Sequence, residues 1–179
     1  PFYDKEEVKS VGHRHTLAVD TSDVVKIQQL FFKLAEMVAR RLRAKKLSGR
    51  TVSIWYRAAF DKYYFDTTGQ KFYGEGMQMT IMDSNDGLAF YKAAWNLFSQ
   101  IWQGENIRMV GIAVSNVRSA KPENLSLLPD VNRSQVITTA LDQINDRFGE
   151  FTLQRGILTG SYKMKRMPNP FLSDRRFKI

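Results

Sequence analysis

Thr51–Phe60 reads TVSIWYRAAF, and the fold follows from its alternation. Val52, Ile54 and Tyr56 fall on one side; Thr51, Ser53, Trp55 and Arg57 fall on the other. A period of two is the mark of a strand with one face buried. The second face is polar except for one indole, so it is expected to meet solvent or a ligand rather than a core.

The flanking segments supply what covers the buried face. Upstream, Thr21-Ser22-Asp23 offers N-cap chemistry for a long helix with the stripe Ile27, Leu30, Phe31, Leu34, Met37, Val38 and Leu42. Its last turns carry Arg40, Arg41, Arg43, Lys45 and Lys46, which suit the negative end of a helix dipole, and Gly49 is the expected C-cap. Lys9–Val19 (KSVGHRHTLAV) precedes it as a strand. Downstream, a polar and aromatic stretch from Asp61 to Tyr73 leads to a strand from Gly76 to Met82, with Met77, Met79 and Ile81 inward. Asn85-Asp86 caps a second helix with the expected buried stripe Leu88, Tyr91, Trp95, Phe98 and Trp102, and Gly104 ends it. Ile107–Val117 (IRMVGIAVSNV) is a fourth strand with Val110, Ile112 and Val114 on the core face. The order β-α-β-β-α-β predicts an α+β fold: one four-stranded sheet, both helices on one face, the other face open.

Beyond that unit, Arg118–Asn132 reads as a linker containing Pro122 and Pro129. Ser134–Phe148 is a third amphipathic helix with the stripe Val136, Ile137, Ala140, Leu141 and Ile144, expected to pack on the preceding unit, and Gly149 stops it. Phe151–Leu158 is expected to be a short strand. From Ser161 onward the chain has no periodicity and is rich in Lys and Arg. The expected division is 1–118, 119–132, 133–158 and 159–179.

Composition narrows the classes. Hydrophobic residues make up 43% of 179 residues and aromatics 12%, enough for a real core and against wholesale disorder. No apolar run approaches the roughly 20 residues that span a bilayer, and no signal peptide opens the chain. Pro1 in place of Met suggests a fragment or a processed product. Zero cysteines exclude disulfides and thiolate metal sites and agree with a reducing compartment. With 27 Lys+Arg against 18 Asp+Glu the formal net charge is +9, which concentrates a protein near polyanions, nucleic acid first among them.

Three stretches together carry a resemblance. KSVGHRHTL at Lys9–Leu17 is followed by a helix ending VARRLRAKKLSGRTVSI; IRMVGIAVSNV lies at Ile107–Val117; ALDQINDRFGEFTLQRG lies at Ala140–Gly156. In order and spacing they resemble the C-terminal little-finger domain of Y-family, polymerase IV-like translesion DNA polymerases. The resemblance implies a sheet that lies along a primer–template duplex and touches phosphates without reading bases. It also implies a cytoplasmic, nucleoid-associated parent enzyme with palm, fingers and thumb. The family's Mg²⁺ ions and catalytic carboxylates belong to the palm, so no catalytic residue, metal site or cofactor is expected in this chain, which is not expected to be an enzyme alone.

On the family's first-strand motif, Lys9, Ser10, Gly12, His13 and Thr16 fall where backbone grips phosphate, with Lys9 or Arg14 pairing with its charge. Gly12 either admits the close approach of main chain or marks a bulge. Strict alternation puts His13 and His15 on the core face and Arg14 outward, so either the register shifts or the histidines are semi-buried. Arg57 and Arg108 are further phosphate candidates, or else solvated surface arginines. Lys62 and Lys71, in a segment unlike the family's short basic hairpin, are candidates in its place. Asn124-Leu125-Ser126-Leu127-Leu128 stands where relatives carry a sliding-clamp-binding peptide; Asn124, Leu125, Leu127 and Leu128 either anchor such a peptide or pack on their own domain. Two competitors stand beside this reading: a stand-alone RNA-recognition-like module, for which Trp55 is the one evident stacking residue, and a small enzyme of ferredoxin-like fold, for which no site presents itself.

Overall fold

The computed structural model describes residues 8–59, 74–120, 129–149 and 152–158. The expected order is present: β1 (Ser10–Thr21), α1 (Val24–Ala44), β2 (Leu47–Ala58), β3 (Gly76–Ser84), α2 (Gly87–Ile101) and β4 (Ile107–Ser115). The strands lie in the order β1-β4-β2-β3, each neighbouring pair antiparallel. β4 therefore sits between β1 and β2, and β2 between β3 and β4, so each helix crosses over one intervening strand. A two-residue strand, β5 (Arg118–Ser119), pairs with the start of β2.

Both helices cover the face bearing Val52, Ile54, Tyr56, Val110, Ile112 and Val114, all buried. α1 begins where Asp23 accepts from the N–H groups of Val25 and Lys26, satisfying two of the donors a helix start leaves unpaired. It ends earlier than the glycine signal suggested. Lys45 caps it, Lys46 takes the left-handed turn at φ 54, and Gly49 already pairs with Ser84 in the sheet. Gly49 instead permits close packing, since a Cβ there would lie 2.5 Å from Val114 Cγ1.

In α2 the buried stripe is Phe90, Ala93, Ala94, Leu97 and Phe98, turned from the expected one. Leu88 is only half-buried, and Tyr91, Trp95 and Trp102 flank the core, partly buried. The helix is apolar on most sides, so periodicity alone does not fix its phase; the alanines fix it by letting α2 approach closely. Phe98 is the hub, with Phe31, Tyr56, Trp95 and Trp102 rings at 4.9, 5.5, 5.6 and 5.3 Å.

The C-terminal region departs further from expectation. α3 spans Pro129–Phe148 and so begins inside the stretch read as a linker; a proline fits the first turn, where its missing N–H is not needed. Within Phe151–Leu158 the described residues form a bend and a 3₁₀ turn, Gly156–Leu158, rather than a strand, and Leu158 is buried. The apolar stripe of α3 is only partly its docking face: Val136 is 69% and Ile137 46% exposed and Thr138 is buried instead, while Leu141 and Ile144 are half-buried.

Candidate nucleic-acid interface

The register assembles the open face row by row. Arg14 (β1), Gly111 (β4), Trp55 (β2) and Gly76 (β3) form one row. Gly12, Ala113, Ser53 and Gln78 form the next, then Ser10, Ser115, Thr51 and Thr80. In the other direction lie Thr16, Met109 and Arg57. These rows contain no carboxylate, and most of their side chains are short. Ser53 donates to Gln78 Oε1, and Asn116 donates to the buried Thr51 Oγ1, so these two hydroxyls are tied into the surface. Trp55 is laid across to β4: a Cβ on Gly111 would come within 2.2 Å of its Cε2 and Cζ2.

The expected first-strand residues divide between the two faces. Ser10, Arg14 and Thr16 are exposed on the open face, with exposed Lys9 just before them. Gly12 pairs regularly with Ala113, so it marks no bulge. Its added Cβ would be 3.0 Å from Ala113 Cβ, which makes the position a tight flat patch. The His13 side chain turns to the helix side, half-buried, and only the main chain beside it borders the open face. Arg41 explains this: its Nη1 donates to the Gly12 carbonyl at 3.1 Å and its Nη2 lies 3.3 Å from His13 Nδ1. A guanidinium only donates, so Nδ1 accepts and the ring proton sits on Nε2. Burial first, then the Arg41 charge and His15, pushes the His13 pKa down to about 4. His15 is lowered too, by burial and then by Lys33.

Arg57 stands on the open face, half-buried. Arg108 sits where β4 loses its regular pairing with β1 and β2, and is held by Asp20, 3.0 Å from Nε. That contact is close as an ion pair but not aligned as a hydrogen bond. Lys62 and Lys71, like Asn124, Leu125, Leu127 and Leu128, lie outside the described residues.

The basic end of α1 is largely occupied within the fold. Arg43 forms a two-pronged bond to Asp142 of α3 (2.6 and 2.8 Å), and Arg40 reaches Asp146 at 2.5 Å. Arg155 pairs with Glu36 and lies near Asp86. Burial raises the Glu36 pKa, opposed by Arg43 and Arg155. The signal was present in the sequence: Arg40 and Arg43 stand three apart, Asp142 and Asp146 four apart, as antiparallel helix faces require. Among the described residues no group of three or more His, Asp or Glu side chains comes together as a metal site, and no helix is long and apolar enough to cross a membrane.

Residues 8–127 match the model of the impB/mucB/samB family C-terminal domain. The chain belongs to this family. The little-finger resemblance read from the sequence therefore stands, and the mixed α/β architecture agrees with it. Its relatives include bacterial proteins named DNA polymerase IV. The protein of Moorella thermoacetica is 30% identical over 159 residues, covering 87% of this chain and 37% of its own length. That of Pelotomaculum thermopropionicum is 29% identical over 153 residues, covering 85% of this chain and 36% of its own. This impB/mucB/samB C-terminal domain thus spans little more than a third of the relatives it matches. A solved complex of a beta-clamp processivity factor with the little finger domain of PolIV aligns with TM-score 0.46 at 16% identity, over 66% of this chain and 97% of that one.

Proposed function

We propose that this domain holds the phosphate backbone of duplex DNA on its open sheet face, as the little-finger part of a translesion DNA polymerase. The observation that carries the reading is the set of acid-free paired rows on that face, with Arg14 and Arg57 among Ser, Thr, Gly and Ala. Short hydroxyl side chains and flat glycine positions let a phosphate backbone approach closely, and the arginines supply charge-assisted contacts that ignore sequence. The net charge of +9 and the family membership support it. Arg108, already paired with Asp20, contributes less than Arg14 on this account. In-line nucleotidyl transfer needs a carboxylate-held metal pair, and this reading assigns the Mg²⁺ ions to a palm domain of the parent polymerase. Its setting is a bacterial cytoplasm, at the nucleoid, during damage-tolerant synthesis. Asn124–Leu128 is its candidate clamp peptide, with Leu125, Leu127 and Leu128 as apolar anchors. An RNA-recognition-like module is disfavoured, because it calls for stacking aromatics on both central strands, and the open face offers Trp55 on β2 but none on β4, Met109 to Ser115.

The test is fluorescence-anisotropy binding of this chain to a primer–template duplex across a salt series. Sequence-indifferent binding with a steep salt slope is expected. Arg14→Ala and Arg57→Ala should each weaken it about 3- to 10-fold and flatten the slope by about 0.9 per lost phosphate contact. No binding at low salt, or binding indifferent to both substitutions, would overturn the reading.

A further inference from the structure

Trp55 is the feature of the open face that phosphate gripping leaves unexplained. A backbone-binding platform calls for cations and hydroxyls; a large half-buried indole in its central strand adds apolar surface instead. Its two cross-strand neighbours are glycines, Gly111 on β4 and Gly76 on β3, so the row is cleared of side chains on both sides of the ring. The Nε1–Cε2–Cζ2 side of the indole occupies the space that a Cβ on Gly111 would take. The ring is therefore laid along the sheet, over main chain, rather than standing free in solvent. Past Gly111 the next residue in the row is Arg14, exposed and, among the described residues, without an ion pair. Arg14 and Trp55 stand two strands apart in this row, about 10 Å between backbones, and the indole already lies over Gly111 toward Arg14.

We propose that Trp55, seated on Gly111, is a stacking site for one unpaired nucleobase of DNA, with Arg14 taking that nucleotide's phosphate. The proposal rests on the open face being the DNA-binding face and deepens it: the domain holds a junction, gripping duplex phosphates while one base of the adjoining single strand stacks on the indole. Base–aromatic stacking is tolerant of sequence, because every base has a π face, so the site does not conflict with sequence-indifferent binding.

The experiment compares a blunt duplex with the same duplex carrying a 5′ single-stranded extension, using this chain and its Trp55→Ala, Trp55→Phe and Gly111→Ala variants. Tryptophan emission is recorded alongside anisotropy, and thermal melting checks that each variant folds. The wild type should bind the extended duplex more tightly and show quenching on binding it. Trp55→Ala should weaken extended-duplex binding about 5-fold or more while changing blunt-duplex binding less than about 2-fold. Trp55→Phe should retain part of the preference, and Gly111→Ala, which unseats the ring, should lose it with the tryptophan still present. Equal weakening on both substrates, or an extension preference that survives Trp55→Ala, overturns the stacking site. If the blunt duplex is bound through Arg14 and Arg57 but Trp55 is indifferent, only this inference fails. If neither DNA is bound, the face assignment fails with it.

Discussion

Arg41 joins the helix layer to the first strand by donating to the Gly12 carbonyl while facing His13 Nδ1. The arrangement works only with a neutral imidazole, since a protonated ring has no acceptor at Nδ1 and sets a cation against a cation. Between pH 6.5 and about 4 the unfolded chain takes up a proton on this side chain that the folded chain refuses. The stability that His13 contributes is therefore fully present above pH 6.5 and is lost as pH falls toward 4. Thermal midpoints measured from pH 7.5 down to 4.5 should fall, and His13→Gln should flatten that fall. A residual slope is expected from His15, also lowered by burial; an unchanged slope in His13→Gln would contradict the account. Strict alternation in the sequence already placed His13 inward, so the face was legible there. Its partner was not, because nothing local distinguishes Arg41 from the other cations ending α1.

Among the elements, strands were more legible than helix faces. TVSIWYRAAF and IRMVGIAVSNV alternate between a buried and an open face, and a period of two leaves no ambiguity of phase. α2 offered two overlapping apolar stripes, and the choice between Tyr91–Trp95 and Phe90–Ala94–Leu97 was made by close packing on α1. Phe98 belongs to both, and its four aromatic neighbours make it the most costly truncation: Phe98→Ala should destabilise by about 3–5 kcal/mol in a denaturant titration. A loss below about 1 kcal/mol would mean the cluster is misplaced. α3 misled in part: Val136 and Ile137 of its apolar stripe are exposed, Leu141 and Ile144 are half-buried, and Asp142 beside them bonds Arg43. The half-buried Arg43–Asp142 pair, 99 residues apart in sequence, should show a coupling of about 1–3 kcal/mol in a double-mutant cycle with Ala at each position. Native-state hydrogen exchange over Val136–Phe148 should speed up in each single variant. Zero coupling would mean α3 is held by something else.

For the whole molecule the question is which surface meets DNA. In the sequence, the net charge of +9 is most visibly concentrated in the run of cations ending α1. Folding assigns much of that charge elsewhere: Arg40 and Arg43 to α3, Arg41 to β1, leaving Lys45 and Lys46 exposed at the turn. The open sheet face carries fewer cations, but no acid in its paired rows and two arginines on one flat floor. That distribution was only partly legible, since it needs the register β1-β4-β2-β3, and strand order is set by long-range pairing rather than local pattern. The most direct measurement is duplex-DNA affinity at fixed low salt for two charge-reversal variants of equal formal charge, Arg14→Glu with Arg57→Glu, and Lys45→Glu with Lys46→Glu. Reversal on the sheet face is expected to reduce affinity at least about 10-fold beyond reversal at the helix end. Equal losses would reduce the interaction to net charge alone, and a larger loss at Lys45 and Lys46 would place the DNA on the opposite side of the molecule.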